Sequence, residues 1–492
     1  MDFRTGLLLS SATAFPDLAF IRHITSIPMK NKKTVVVVGA GFGGFEAVKI
    51  LAKCKDIQII WIDKSNHHLF QPLLYQVATA VLSPADIAIP ARSLTSNMRN
   101  VTVIMGEVTD IDKTNKRVYY DQTAVSYDYL ILAMGARTGY FGNNHWKKYT
   151  VGLKSVLDAL QIRNRILLAY ERAETHPEEA EKLMNFIVIG GGPTGVELAG
   201  SIGELSRQIV NKDFRFIRPE QTKIRLIEAG PRLLPAFTPE LSEYTKQQLE
   251  KRGVEVMVNT KVVNIDEKGV HLQDGVLESH LIIWAAGVEA NPFGEKLGVP
   301  LDRGKRVIVN PFCSLEQYPE IFVIGDMATF LNAEGKPLPG VSPVAMQQGR
   351  HVARMIRDEL KGKPRQIFSY FDKGSMATIG RATGIAQMGK FKLKGIIGWL
   401  AWLFVHLLYL VGFKNRVSTL ITWIWSYLTL GASARVIHEP MRVQLRDDAP
   451  PTPPVETQPA STATHVNSSN TGNIPPPLST QDSSAQSVAG RS

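Results

Sequence analysis

Cysteine is nearly absent. Cys54 and Cys313 are the only two in 492 residues, far apart and in no CxxC pair or Cys/His cluster. That argues against a disulfide framework, a zinc ribbon, a thiol redox motif and an iron–sulfur site, and the chain reads as facing the cytosol. Acidic residues are scarce in one region. Residues 381–446 hold nine Lys and Arg against Glu439 alone, so most of the net charge of +11 sits there. The same stretch carries Trp399, Trp402, Trp423 and Trp425, four of the seven tryptophans. Basic residues around Trp-rich apolar segments point to an anionic membrane surface. Without a helix-turn-helix, a zinc finger or an RNA-binding platform, nucleic acid is the weaker reading.

Both ends lack the means to build a core. Residues 447–492 contain eight prolines and no Phe, Trp or Tyr, so they are expected to be disordered. Residues 1–33 lack the charged, apolar, small-residue order of a signal peptide. They read as an extension, with Met29 as an alternative start.

Between the ends, apolar residues suffice for real cores, and the length suggests about three domains. Short β-branched runs at 34–38, 57–62, 130–133, 186–189, 223–227, 254–258, 281–285 and 321–324 alternate with helical patterns. This predicts an α/β fold with parallel, doubly wound sheets. A strand–glycine loop–helix unit at 34–52 recurs at 186–205, which predicts two Rossmann-like dinucleotide-binding domains.

The first loop reads Val38-Gly39-Ala40-Gly41-Phe42-Gly43-Gly44. Gly39 allows the tight turn, Gly41 lets backbone approach a pyrophosphate, and Gly44 lets helix and strand pack closely. Asp63, 24 residues beyond Gly39, ends the next strand, where a carboxylate accepts from ribose hydroxyls. The second loop, Gly190-Gly191-Gly192-Pro193-Thr194-Gly195-Val196-Glu197, has Glu228 in the corresponding place. An acid there repels a 2′-phosphate and favours NADH over NADPH, although Arg225 and Arg232 lie close enough to leave the choice open. A third segment, Ile324-Gly325-Asp326, ends a strand where an FAD ribityl chain and pyrophosphate would pass. It assigns FAD to the first site and NADH to the second. His67 and His68 are adjacent in sequence and poorly placed to share a metal, and none is expected.

These residues resemble the type II, or alternative, NADH:quinone oxidoreductases over about residues 33–446. Beyond the glycine loops, the resemblance rests on His67-His68-Leu69-Phe70-Gln71-Pro72-Leu73-Leu74-Tyr75-Gln76-Val77-Ala78, on Trp284-Ala285-Ala286-Gly287-Val288, on Lys373-Gly374-Ser375-Met376-Ala377-Thr378-Ile379-Gly380 and on Trp402-Leu403-Phe404-Val405-His406-Leu407-Leu408-Tyr409-Leu410. It implies electron transfer from NADH through FAD to a membrane quinone, without proton pumping, at the cytoplasmic face of the cell inner membrane. The family's Ala-Gln-x-Ala-x-Gln motif falls on residues 342–347. Ala345 and Gln347 match, while Ser342 and Pro343 replace the first Ala and Gln. Glu197 matches the family's glutamate near nicotinamide and flavin.

The expected FAD set is Gly39, Gly41, Phe42, Gly43, Gly44, Asp63, Lys64, Val108, Ala133, Gly135, Asp326, Ala345, Met346 and Gln347. The expected NADH set is Gly190, Gly192, Thr194, Gly195, Glu197, Glu228, Ala286 and Gly287. Glu197 and Gln347 are assigned positioning roles, with no acid–base pair required. Domain boundaries follow: FAD-binding at 34–150 and 310–385, NADH-binding at 151–309, and amphipathic membrane-associating helices at 386–446.

Residues 396–413 form an 18-residue run without Lys, Arg, Asp or Glu, barely long enough to span a bilayer. Trp399, Trp402, His406, Tyr409 and Phe413 line one face, and residues 417–430 carry a Ser418/Thr422/Ser426/Thr429 stripe. Two helices lying on one leaflet are expected; a true span and a homodimer interface stay open. Rival functions are a sulfide:quinone oxidoreductase, which needs a cysteine pair at the flavin, and an NADH-linked redox-sensing or interaction flavoprotein.

Overall fold

The computed structural model describes residues 32–429, 431 and 434–437. The expected N-terminal extension through residue 31 and the Pro-rich tail lie outside the described residues.

The chain opens with β1 (Lys33–Val38), whose Val35–Val38 run is buried. Four consecutive β-branched residues suit a strand covered on both faces, as in a parallel sheet. Helix α1 (Phe42–Leu51), strand β2 (Ile57–Asp63) and the short helix α2 (Leu74–Ala78) follow. Then come β3 (Val101–Met105), β4 (Tyr129–Leu132) and the long helix α3 (Val156–Thr175), which begins at a Ser155/Asp158 capping box.

The second repeat is β5 (Asn185–Ile189), α4 (Pro193–Asp213), β6 (Lys223–Ile227), β7 (Val254–Met257) and β8 (Leu281–Trp284). These four strands form one parallel sheet in the order β7-β6-β5-β8. The chain then returns. Strand β9 (Ile321–Val323) pairs with β4, completing the first parallel sheet in the order β9-β4-β1-β2-β3. Two connecting segments, Ala136–Thr138 and Val288–Ala290, pair antiparallel where the chain leaves the first sheet and comes back. The expected α/β fold with two doubly wound sheets is observed, and the strands match the expected runs to within a residue or two.

Helix α5 (Ser342–Glu359) lies against α1, and β10 (Ser375–Gly380), β11 (Thr383–Met388) and β12 (Phe391–Lys394) form an antiparallel meander. Helices α6 (Gly395–Tyr409) and α7 (Phe413–Thr429) follow. Residues 386–394, expected within the helical segment, are strand and turn instead.

The orientation of these last helices reverses one expectation. Trp402 and Trp423 are fully buried, and Trp399, His406 and Tyr409 are partly buried; of the expected aromatic face only Phe413 stands out in solvent. In α7 the Ser/Thr stripe also turns mostly inward. Ser426 is buried, and the Ser418 hydroxyl donates to Asp86 Oδ1 at 2.8 Å. Aromatic spacing marks a buried helix face as readily as a lipid-facing one, and here indole N–H groups find buried acceptors that only the protein supplies.

Helices approach backbone closely enough to require glycine. A Cβ at Gly349 of α5 would stand 2.2 Å from Gly43 O, and one at Gly200 of α4 would stand 2.1 Å from Ile379 O. Backbone atoms cannot swing aside as a side chain would. Gly349→Ala and Gly200→Ala should each destabilise by about 1–3 kcal/mol through overpacking. Thermal melts check this; unchanged melting of both variants would show the contacts are looser than described.

Candidate dinucleotide sites

The two glycine loops are built alike. In the first, Gly39 has φ +109°, and a Cβ on it would lie 2.2 Å from Ala133 O. A Cβ on Gly44 would meet Gly39 O at 2.0 Å, so helix α1 sits directly on the strand end. At Gly41 a Cβ would meet nothing within 4 Å, and no side chain caps the helix there. The first-turn N–H groups therefore face open space with a positive dipole end. Asp63 Oδ2 accepts from Ala40 N at 2.6 Å and Oδ1 from Ser65 N at 2.6 Å. Burial pushes the Asp63 carboxyl above its ordinary pKa, against the opposing pull of these two amides.

The second loop repeats each feature. Gly190 has φ +116°, and a Cβ on Gly195 would meet Gly190 O at 1.8 Å. The space at Gly192 is open. Glu228 Oε2 accepts from Gly191 N and Oε1 from Gly230 N, both at 2.6 Å. In both repeats the strand-end acid thus holds the residue after the first glycine and still has lone pairs to offer a ribose. Arg225 bonds Glu255 and Asn185, and Arg232 bonds the carbonyls of Pro235 and Phe237, so both guanidinium groups are engaged within the chain.

What distinguishes the first site is a second helix. Gly325, with φ +71°, donates its N–H to Gln348 Oε1 at 2.7 Å, and Gln348 is fully buried. A Cβ on Gly43 would lie 3.1 Å from Ala345 O, and one on Gly325 would lie 3.2 Å from Ala345 Cβ. The α1 loop, the Gly325–Asp326 turn and the first turn of α5 thus meet. Ala133, Gly43, Ala345 and Met346 are gathered here, and Gly135 supplies a left-handed turn at φ +65° just beyond β4. Phe42 stands edge-on to His68 and Phe70. Lys64 is exposed past Asp63, and Val108 lies buried two residues after Gly106, whose N–H bonds Asp63 O at 2.9 Å.

Gln347 is committed elsewhere. Its amide donates to Phe371 O at 2.9 Å and accepts from Phe371 N at 3.0 Å, tying down the strap that precedes β10. Gln348, which no motif singles out, does the work at the Gly325 turn. Lys154 was equally silent in the sequence: it is half-buried, burial lowers its pKa, and the Asp326 carboxylate opposes that lowering. An open, uncapped cradle with Cβ-free approaches, an acid at the ribose position and a second helix N-terminus fits FAD.

Glu197, on the second turn of α4, is the buried meeting point of the molecule. Its Oε1 accepts from Trp402 Nε1 at 3.2 Å and from Thr378 N at 3.3 Å. Burial pushes its carboxyl up to about 8, although both donors favour the charged form. His406 stacks on Trp402 with centroids 3.9 Å apart, and Trp423 Nε1 donates to Gln76 Oε1 at 2.7 Å. The C-terminal helices therefore complete the interior beside the sites. On the second site's other flank, a Cβ on Gly190 would lie 2.6 Å from Ala286 Cα, placing the loop against Ala285–Ala286 with Gly287 next along; Thr194 is exposed at the loop's mouth.

Two such cradles on two parallel sheets define a flavin- and pyridine-nucleotide-dependent oxidoreductase. Residues 33–349 match the pyridine nucleotide-disulphide oxidoreductase family model. The chain is 42% identical over 417 residues to the type II NADH:quinone oxidoreductase Ndh of Mycobacterium tuberculosis, covering 81% of this chain and 89% of that one. It is 30% identical over 364 residues to the type II NADH:quinone oxidoreductase of Staphylococcus saprophyticus, covering 72% and 90%. A structure of NDH2 from Plasmodium falciparum in complex with NADH superposes with a TM-score of 0.75 at 23% identity, covering 83% and 100%, and supports the fold. The chain belongs to the type II NADH:quinone oxidoreductase family.

The Glu197 carboxyl yields a stability prediction. A buried acid whose folded pKa is raised keeps its proton while the unfolded chain loses it. Its stabilisation is present below the ordinary carboxyl pKa of about 4.3 and declines at roughly 1.4 kcal/mol per pH unit until the pH passes its folded value. Relative to Glu197→Gln, the wild-type melting temperature should fall steadily from pH 5 to 8. Parallel curves would mean that Glu197 is ionised throughout.

Proposed function

We propose that this protein oxidises NADH and passes two electrons through non-covalently bound FAD to a membrane quinone, seated on the cytoplasmic leaflet without pumping protons. The observation that carries this reading is the pair of equivalent glycine-loop cradles, of which only the first is completed by a second helix N-terminus. FAD, when bound, supplies acceptance of an electron pair from a nicotinamide and its delivery to a quinone.

The chain's own groups do the positioning. Gly39, Gly41, Gly43 and Gly44 hold a pyrophosphate at the α1 N-terminus, with Asp63 at the ribose and Asp326 along the ribityl path. The positive dipole end of α5 faces the place where negative charge develops, although the Val344 and Ala345 N–H groups already donate to Val341 O. Pro343 stands in that first turn, where a missing N–H removes no intrahelical bond. Its presence in place of the family's glutamine therefore leaves the helix start intact. Gly190, Gly192 and Gly195 hold the second pyrophosphate, and Glu228 selects an unphosphorylated ribose. Burial disfavours the charged form of Glu197 in the interior beside the second site.

The membrane reading rests on inverted amphipathicity. The outer faces of α6 and α7 are apolar: Ile396, Ile397, Leu400, Phe404, Leu408, Phe413, Ile421, Trp425 and Leu428 are all exposed, Phe413 at 83% and Leu428 at 78%. Trp402, Trp423, Thr419 and Ser426 point inward. No helix among the described residues is long and apolar enough to cross a membrane. Such an apolar face, with Lys414 next to Phe413 and Lys390 shortly before α6, fits an anionic lipid leaflet, while Lys392 and Lys394 share Glu240. The sulfide rival needs two cysteines at the flavin; Cys313 is fully buried and Cys54 lies in the turn beyond α1.

Deleting α6 would remove Trp402 from Glu197, so surface substitutions are the cleaner test. Ile397→Ser, Phe404→Ser and Leu408→Ser combined should leave NADH oxidation with a short-chain quinone within about twofold while abolishing flotation with anionic vesicles. Loss of dimerisation with vesicle binding intact would make the face an interface between two copies. Flavin that NADH reduces but quinone fails to reoxidise would overturn the quinone reading.

A further inference from the structure

Phe141 is held at a doubly unfavourable position. Its backbone lies at φ +51° and Gly142 follows at φ +89°. A non-glycine residue there is strained, and an aromatic one is a true outlier. Its ring is also 72% exposed, so burial offers no compensation. The loop beneath it is rigid. Trp284 Nε1 donates to Gly139 O at 2.8 Å, Gly139 N donates to Gly287 O at 3.2 Å, and buried Tyr140 packs on Trp284 at 5.3 Å between centroids. The Phe141 ring projects from this anchored base. It reaches across Gly287, where a Cβ would come 2.8 Å from Phe141 Cζ, and stands edge-on to Trp284 at 6.0 Å.

The sheet order says which half of a dinucleotide meets this ring. In a doubly wound sheet the ligand crosses the carboxyl ends of the strands at the point where strand order reverses. Here that point lies between β5 and β8. Glu228, ending β6, takes the adenosine ribose, and the α4 N-terminus takes the pyrophosphate. The remaining half must run over the loop that ends β8, along Ala285, Ala286 and Gly287, towards Phe141.

We infer that Phe141 binds the nicotinamide riboside of NADH, its ring forming an apolar wall over that half of the substrate. The inference deepens the proposed function and rests on it. A Cβ on Gly287 would crowd both the Phe141 ring and, at 3.1 Å, Gly139 O, and the strained backbone holds an aromatic surface facing open solvent until substrate covers it.

The experiment uses FAD-replete full-length enzyme and the variants Phe141→Ala, Phe141→Gly and Phe141→Tyr. Wild-type protein is first checked for flavin reduction by NADH without oxygen and for NAD+ binding by calorimetry. Both Phe141→Ala and Phe141→Gly should raise the NADH KM and the NAD+ Kd by roughly two- to tenfold, the range of one aromatic contact, with the quinone KM unchanged. Phe141→Tyr should stay near wild type. Phe141→Gly relieves the left-handed strain, so it should melt no lower than wild type while losing affinity, which a merely structural ring would not do. NADH and NAD+ constants within wild-type error in both truncated variants would overturn the inference alone. Wild-type protein that NADH neither reduces nor binds would overturn the functional reading and this inference with it.

Discussion

A carbonyl oxygen stands where a side chain would otherwise begin at each helix that reaches the two sites. Gly39 O excludes a Cβ from Gly44, Gly190 O from Gly195, Gly43 O from Gly349 and Ile379 O from Gly200. These approaches bring helix N-termini onto strand carboxyl ends and onto one another. The dipole ends and free amides then converge on space that the chain itself does not fill. Larger residues at these positions would push the helices outward and weaken anion binding as well as packing.

The same economy appears at the strand-end acids. Asp63 and Glu228 each accept two backbone N–H groups, one from their own glycine loop and one from the turn that follows them. The acid shapes the loop before any ligand arrives, and a carboxylate with two oxygens retains capacity for ribose hydroxyls. That dual duty explains how two loops of different sequence, one with Phe42 and one with Pro193, arrive at the same backbone.

Glu197 joins parts of the chain that are remote in sequence. It lies on the helix of the second repeat, receives a backbone amide from the meander and an indole N–H from a C-terminal helix. The surface helices are thus tied to the interior by polar contacts on their inner face, which leaves their outer face free to be apolar. The C-terminal helices and the helix of the second repeat are joined by a buried hydrogen bond from Trp402 to Glu197.

The parallel sheets, both glycine loops and their acids were legible from local pattern, because β-branched runs and tight turns are dictated by neighbours in the chain. Equally local was the apolar character of the last two helices. Which face of those helices turns inward was not, since spacing alone cannot tell a stripe that seeks lipid from one that seeks a buried acceptor. Gln348, Lys154 and Phe141 carried no motif; each acquires meaning only from residues more than a dozen positions away, such as Gly325, Asp326 and Gly287. Gln347 showed the converse, a motif residue whose amide the fold directs to Phe371. Local conformation follows from covalent and steric rules along the chain, whereas these assignments depend on long-range packing, which sets burial and hydrogen-bond partners only once both sheets and the C-terminal helices have closed together.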